Sequence, residues 1–440
     1  VDLTMAVSAR GLEQAFCAIV GADAVGPGES AAPIDGVRPR WGVAPASIAE
    51  LSGVVALAHE ERLSVVPRGS GSAMTLGHPL GRADVVVDLG RLNDVLEYNP
   101  DDLTVTVSAG TTLDALAARL SARGQCLPLD PPGGGTRTLG GIAATGASGP
   151  LRARYGTMRD LLLGVRFVQA DGVLTWGGAK VVKSVTGYDI PKLMVGSLGT
   201  LAVLAELTLR LHPAPACERT SITAFRSSEA AQTFVAALVD SALQPNRVEW
   251  LNAMAGRAWD EPGSATSVAV SVGSVEAAVR AQERQIEKLA HVAGGAWRPV
   301  EQEVWPRHGR VVAARPDGIT LRVATLTSHL AETVGGIERA VVAMGASSEV
   351  AVTGCAPLGV LRAQVTGVGI QDGSTLVARL RDVVAPVGGS VVVEAASPAL
   401  RGALDPWGPL TPGTFALMRA IKEQFDPERI LNPGRFVGGL

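Results

Sequence analysis

The stretch VVPRGSGSAMTLG, residues 65–77, sets three glycines and three hydroxyl side chains directly after a short apolar run. Glycine tolerates positive φ and lets another molecule approach the backbone, and successive amides in such a turn form an anion-binding concavity. Arg68 can add charge, while Ser70, Ser72 and Thr75 can donate hydrogen bonds. A dinucleotide diphosphate suits this arrangement; a plain glycine-rich turn is the other reading. The dinucleotide fingerprint G-x-G-x-x-G fails, because Met74 stands at the third glycine position and the strand-like ADVVVDLG follows instead of a helix. No Gly-Lys-Ser/Thr closes the loop, so a Walker A site is excluded as well.

A second small-residue segment, GGGTRTLGGIAATGASG, spans residues 133–149 and carries seven glycines. Its apolar content is too high for a flexible linker, and it reads as backbone wrapped around a flat ligand. RYGTMRD follows and adds Arg154 and Tyr155 as polar handles. Two such turns imply an extended cofactor. Farther along, Arg322 lies in GITLRVATL, where alternation puts Thr320, Arg322 and Ala324 on one face. A guanidinium there can hold a carboxylate in bidentate fashion, or make a surface salt bridge. His308 in WPRHGR is the best base by residue type, or an exposed loop histidine. Arg362 and Gln364 in VLRAQV are weaker candidates.

The elements that must position these groups follow from periodicity. LSVVP, ADVVVDLG and LTVTVSAG read as strands, and TTLDALAARLSARG as a helix with Thr111 and Asp114 placed for a capping box and Gly124 at its end. The strand-like LLGVRFVQADG and LAVLAELTLRLHP complete a first α+β unit, expected over residues 38–215 behind an N-terminal segment, 1–37. From 216 to 398 the pattern β-α-β-β-α-β occurs twice, the ferredoxin-like order, so a cap with one large antiparallel sheet is expected. Residues 399–440 contain an amphipathic helix with Leu417, Ile421 and Phe425 on one face, then a short tail.

Composition narrows the class. The chain has 440 residues, 47% hydrophobic and 18% charged, with a net charge of −3, which suits buried globular cores and offers no nucleic-acid footprint. No apolar run approaches the ~18 residues that span a bilayer, and VDLTMAVSARGLEQAFCAIVG does not read as a signal peptide. Cys17, Cys126, Cys217 and Cys355 stand far apart, so no local iron–sulfur or zinc spacing exists, and a reduced cytoplasmic setting with small buried thiols is expected.

Four motifs in register, PRGSGSAMTLG, GGIAATGASG…RYGTMRDLLLGVRFVQADG, KVVKSVTGYDIPKLMVGSLGTLAVLAELTLRLHP and FDPERILNPGR, resemble the vanillyl-alcohol-oxidase and p-cresol-methylhydroxylase (PCMH) type FAD flavoproteins. Within that family the chain is most similar to the flavin-containing subunits of bacterial glycolate oxidases, the smaller above all. The resemblance implies a two-part FAD-binding domain, non-covalent FAD, and oxidation of a glycolate- or lactate-like 2-hydroxy acid. It also implies a second flavin subunit and an iron–sulfur subunit as partners, with attachment to the inner face of the membrane through them. By it, Pro67, Arg68, Gly69, Ser70, Gly71, Ser72 and Ala73 hold the FAD pyrophosphate. Thr138, Gly140, Gly141, Ala144, Thr145, Ser148 and Gly149 line the flavin and ribityl chain, with Arg154 and Tyr155 nearby. Val203 meets the adenine end, and Asn432 returns to the isoalloxazine; Lys183, Tyr188 and Asp189 are further family positions or a turn lock. The family's HxGDGNxH and EHGxG runs are absent and its GSEGT reads GSLGT with Leu198, so no metal site is expected. That loss favours a division of labour in which this chain passes electrons within a complex; a purely structural subunit is the third reading.

Overall fold

Valine-rich runs bounded by glycine and charge build the sheets of the first unit in this computed structural model. The structure describes residues 9–27, 33–179, 187–259, 265–300, 304–311, 318–345 and 347–440, with residues 263, 313 and 315. Trp41–Val43, Val85–Asp88 and Val65–Arg68 form a parallel sheet, with Val25–Pro27 antiparallel at its edge. The helices Ala9–Val20 and Ile48–Glu60 belong to its core, the second capped by Ser47, whose hydroxyl accepts the Glu50 amide at 3.2 Å. The strand Val65–Arg68 is parallel to Val85–Asp88, its partner next in sequence. Parallel neighbours need a crossover of about a dozen residues or more, and here residues 69–84 make it without a helix. The glycine loop is therefore a parallel crossover, and it stands at the carboxyl end of a buried strand.

A second sheet of five antiparallel strands runs Val95–Asn99, Thr104–Ser108, Val203–Arg210, Leu162–Val168 and Leu174–Gly178. The helix Leu113–Ser121 packs on it through Leu113, Leu116 and Leu120. Its cap is Thr112, whose hydroxyl accepts the Ala115 amide at 3.2 Å; Thr111, expected there, is buried instead and donates to the Asp94 carbonyl.

The cap sheet has eight antiparallel strands in the order Ala296–Val300, Cys217–Phe225, Thr266–Ser274, Arg247–Asn252, Glu349–Cys355, Val360–Thr366, Gly318–Ala324, Ser390–Ala395. Each group of four has the ferredoxin-like order, and the two join through Arg247–Asn252 and Glu349–Cys355. Alternation divides the faces. Val248, Trp250, Ile319, Leu321, Val323, Leu361, Ala363 and Val393 pack under the four long helices. Glu249, Arg322, Arg362 and Glu394 fall on the other face, which covers the first unit. The molecule is thus an α+β protein, with a two-part first unit and a cap built on a doubled ferredoxin-like sheet.

The C-terminal segment returns to the first sheet. Val65 donates to the Ile430 carbonyl at 2.8 Å and Asn432 donates to Val65 at 2.9 Å, continuing the sheet past Val65. On the helix Pro412–Phe425 the expected apolar face holds in part: Ile421 and Phe425 pack against the second core, whereas Leu417 is 64% exposed and the fully buried position is Lys422. Lys422 Nζ donates to Asp426 at 2.6 Å and to the carbonyls of Thr200 and Leu431, so a buried ion pair locks this segment beside the apolar contacts. Of the four cysteines only Cys355 is fully buried.

Candidate functional site

The crossover loop forms one wall of a cavity of about 80 Å³, lined by Pro67, Gly69, Ser70, Gly71, Ser72 and Ala73. Among the described residues, the amides of Ser70, Gly71, Ser72 and Ala73 donate to no other protein group. Gly71 has φ +73°, and a Cβ on Gly69 would collide with Thr138 Oγ1. Arg68 turns away from the cavity: its Nη2 pairs with Asp88 Oδ2 at 2.6 Å across the strands. The opposite wall carries Thr138, Gly141, Ala144, Thr145 and Asn432. Asn432 Nδ2 donates to the Leu198 carbonyl at 2.6 Å, while its buried Oδ1 has no partner among the described residues.

The second small-residue segment folds differently from an open turn. Leu139–Thr145 is a short α-helix capped by Thr138, with Gly146 in the left-handed conformation at its end. Its leading amides are already used: Leu139 donates to Thr111, Gly140 to Ala109, and Gly141 to the Thr138 hydroxyl. Gly140 packs so closely that a Cβ would lie 2.7 Å from Ala109 Cβ, so it serves helix-to-strand packing. Ser148 and Gly149, beyond the helix, line a second, larger cavity of about 390 Å³. Arg154 is exposed, and half-buried Tyr155 meets His212 edge-on at 5.1 Å; neither lines either of these two cavities. Val203 is wholly buried in the core of the parallel sheet. Asp189 caps the helix Ile190–Met194 and Tyr188 is 92% exposed, whereas Lys183 lies outside the described residues.

The larger cavity lies between this floor and the cap sheet. Arg137 lines both cavities, held through Nη1 to the Pro132 carbonyl at 3.0 Å and Nη2 to the Thr145 hydroxyl at 3.1 Å, with a buried Nε left unpartnered among the described residues. Arg152 reaches Ser148 at 3.1 Å. Burial pushes both guanidinium groups down from their ordinary values. From the cap come Arg322, Arg362, Glu394, Glu249 and His308. Arg362 forms a fork with Glu394, at 2.6 and 3.1 Å. Burial pushes Glu394 up, but Arg362 and Arg322 outweigh it and hold the carboxyl below its usual range. Arg322 lies 3.8 Å from the same carboxylate and keeps 43% of its side chain exposed, so its fork is open to a ligand.

His308 is not an exposed loop residue. It sits on the helix Val304–Val311, is 5% exposed, and burial pushes its imidazole down to about 3. Its Nε2 lies 3.5 Å from Oε2 of Glu249, whose carboxyl burial pushes up to about 8. Sequence reasoning missed Glu249, Glu394, Arg137 and Arg152. The first two were signalled only by a charged residue inside an apolar strand.

These residues fit a flavin nucleotide. Four unpartnered amides on a glycine loop suit a diphosphate, and the orphaned Asn432 Oδ1 and Arg137 Nε, an acceptor and a donor, suit the polar edge of a ring. The floor between them is built of small side chains over which a flat group can lie.

Comparisons agree with this geometry. Residues 39–178 match the FAD binding domain model, and residues 405–436 match the C-terminal domain of FAD linked oxidases. The chain is 32% identical over 211 residues to the glycolate oxidase subunit GlcD of Bacillus subtilis, covering 48% of this chain and 45% of that protein. It is 32% identical over 247 residues to the glycolate oxidase subunit GlcE of Escherichia coli, covering 56% and 66%. A D-lactate dehydrogenase of Archaeoglobus fulgidus is 27% identical over 423 residues, covering 90% and 91%. The match with GlcD thus spans about half the length of that relative. Among solved structures, p-cresol methylhydroxylase with substrate bound superposes with a TM-score of 0.77 at 16% identity, covering 97% of this chain and 96% of that one. The glycine-loop crossover, the five-stranded second sheet, the cap and the returning C-terminus, together with both matched domains, give the chain an FAD binding domain and the C-terminal domain of FAD linked oxidases on the fold of p-cresol methylhydroxylase.

Proposed function

We propose that this chain is an FAD-dependent oxidoreductase that oxidises a glycolate- or lactate-like 2-hydroxy acid, as one subunit of a glycolate-oxidase-like dehydrogenase. The observation that carries the reading is a cavity with a small-residue, amide-rich floor and an arginine-rich ceiling. In this reading the amides of Ser70 to Ala73 hold the FAD diphosphate non-covalently, and Thr138, Gly141, Ala144 and Thr145 form the bed of the flavin. When bound, the flavin supplies the hydride acceptor, at N5. Arg322 and Arg152 bind the substrate carboxylate, which fixes the hydroxyl-bearing carbon over the floor. Glu394, forked on Arg362, lies 3.8 Å from Arg322 and orients it, while Arg362 is engaged by that carboxylate rather than by the substrate. His308 receives the hydroxyl proton. Two relatives named as glycolate oxidase subunits and several named as D-lactate dehydrogenases support the substrate class.

The match to GlcE and the absence of the family's metal-binding runs favour a second reading, in which the chain carries FAD and relays electrons between a catalytic flavoprotein and an iron–sulfur partner. No helix among the described residues is long and apolar enough to cross a membrane. Anaerobic mixing of the FAD-loaded chain with glycolate or D-lactate separates the readings. Bleaching of the flavin by the chain alone supports the first. Bleaching only after partner subunits are added supports the second, and a chain that takes up no FAD removes both.

A further inference from the structure

Glu249 and His308 lie outside every glycine motif, yet they form a thoroughly buried polar contact on the cavity side of the cap. Glu249 comes from the strand Arg247–Asn252 and is 2% exposed; its Oε2 accepts the Thr353 hydroxyl at 3.0 Å and lies 3.5 Å from His308 Nε2. The imidazole meets two indoles edge-on, Trp259 at 5.9 Å and Trp305 at 6.0 Å, which contact each other at 5.1 Å, so the three rings form one packed triangle. His308 Nδ1 is buried without a partner among the described residues. A buried ring nitrogen without a partner carries a desolvation cost that a bound group can relieve. This histidine has a carboxyl on one side and an unanswered nitrogen on the other, and both residues line the cavity that holds the open arginine fork.

We propose that Glu249 and His308 act together as the proton acceptor for the substrate hydroxyl, with Glu249 the positioning residue that selects the imidazole tautomer. The inference rests on the 2-hydroxy-acid reading above. The balance is simple: the hydroxyl O–H bond breaks and its proton passes to the pair. The Cα–H bond breaks, its hydrogen leaving with both electrons to the oxidised flavin, and the C–O bond becomes a carbonyl.

The surroundings set the direction of its pH dependence. Burial pushes Glu249 up most strongly; the Thr353 hydrogen bond pulls it down, Asp130 pushes it up, and Arg362 and Arg152 pull it down, for a result of about 8. Burial pushes His308 down, and Arg362 and Arg247 push it farther. Cys355, next to this group, stays a thiol because burial pushes it up to about 12. At pH 7 the pair therefore still holds the Glu249 proton. As pH rises through about 8 that proton leaves, the carboxylate accepts Nε2–H, and Nδ1 becomes a free base.

The test is anaerobic stopped-flow reduction of the FAD-loaded chain by glycolate, D-lactate and D-2-hydroxyglutarate between pH 6 and 9.5. The wild-type rate should rise with pH and level off above about 8. Glu249→Gln should be roughly 100-fold slower and lose the rise, Glu249→Asp should recover part of it, and reduction by dithionite should be unchanged in all. A Glu249→Gln chain that keeps the wild-type rate or pH profile overturns the proposal while leaving the substrate reading intact. If Glu249→Gln binds no FAD, His308→Gln decides: it too must lose the rise. Wild-type flavin that binds but is reduced by none of the three acids brings down the substrate reading and this proposal with it.

Discussion

Two glycine-rich segments face each other across the smaller cavity, and they look alike only as strings of letters. Residues 69–73 form an open crossover whose amides from Ser70 to Ala73 have no protein partner among the described residues. Residues 139–145 form a helix whose first amides are bonded to Thr111, Ala109 and Thr138. Glycine in the first segment leaves donors available to a ligand, whereas Gly140 in the second lets a helix lie against a strand. The difference teaches that small residues report close approach, and only the neighbours decide whether a ligand or another part of the chain approaches.

Substitutions can break this contrast, or sharpen it. The largest effect is expected for Ser72→Pro, which removes one free amide and fixes the loop backbone. FAD affinity, read by quenching of flavin fluorescence, should fall at least 100-fold, while unfolding of the FAD-free chain barely changes because Ser72 is exposed. Gly140→Val should give the reverse. Its Cβ would already lie 2.8 Å from the Ala109 carbonyl oxygen. Overpacking of this kind costs about 1–3 kcal/mol, so denaturant unfolding should shift strongly, with FAD affinity of the folded fraction changed little. Gly71→Ala tests conformation alone: there is room for the methyl group but φ is +73°. A left-handed non-glycine residue costs roughly 1–2 kcal/mol, which predicts about a tenfold loss of FAD affinity by the same titration. Smallest is Thr138→Ala, which removes the helix cap and should cost about 1 kcal/mol of stability with under threefold effect on FAD binding. Equal losses of FAD affinity in Gly140→Val and Ser72→Pro would erase the distinction between the two segments.

Much of the architecture was legible in the sequence because it depends on local period. Alternation in GITLRVATL placed Arg322 opposite Ile319, Leu321 and Val323, and the structure puts those three in the cap core. The doubled β-α-β-β-α-β order likewise predicted one sheet, since each half satisfies its own strand pairing before the halves meet. Other residues escaped. Arg152 was passed over in favour of Arg154, because a four-residue helix carries too little period to show which side faces inward. His308 reads as a candidate base or an exposed loop histidine, and the structure removes it from water by packing it against Trp259, Trp305 and Glu249. In the C-terminal helix the apolar stripe holds for Ile421 and Phe425, which pack on the second core, but Leu417 is exposed and Lys422 is the buried residue, because Asp426, the Leu431 carbonyl and the remote Thr200 carbonyl converge on its ammonium group.

The sequence by itself determined which segments turn, which alternate and which face each strand residue takes, because those follow from backbone sterics and the separation of apolar from polar atoms over a few residues. Tertiary structure alone decided which amides remain free, which arginine keeps an open fork, and which carboxyl holds its proton. Each of those depends on hydrogen-bond partners and water exclusion supplied by chain that is remote in sequence: Thr138 beside Gly69, Glu394 beside Arg362, and His308 beside Glu249.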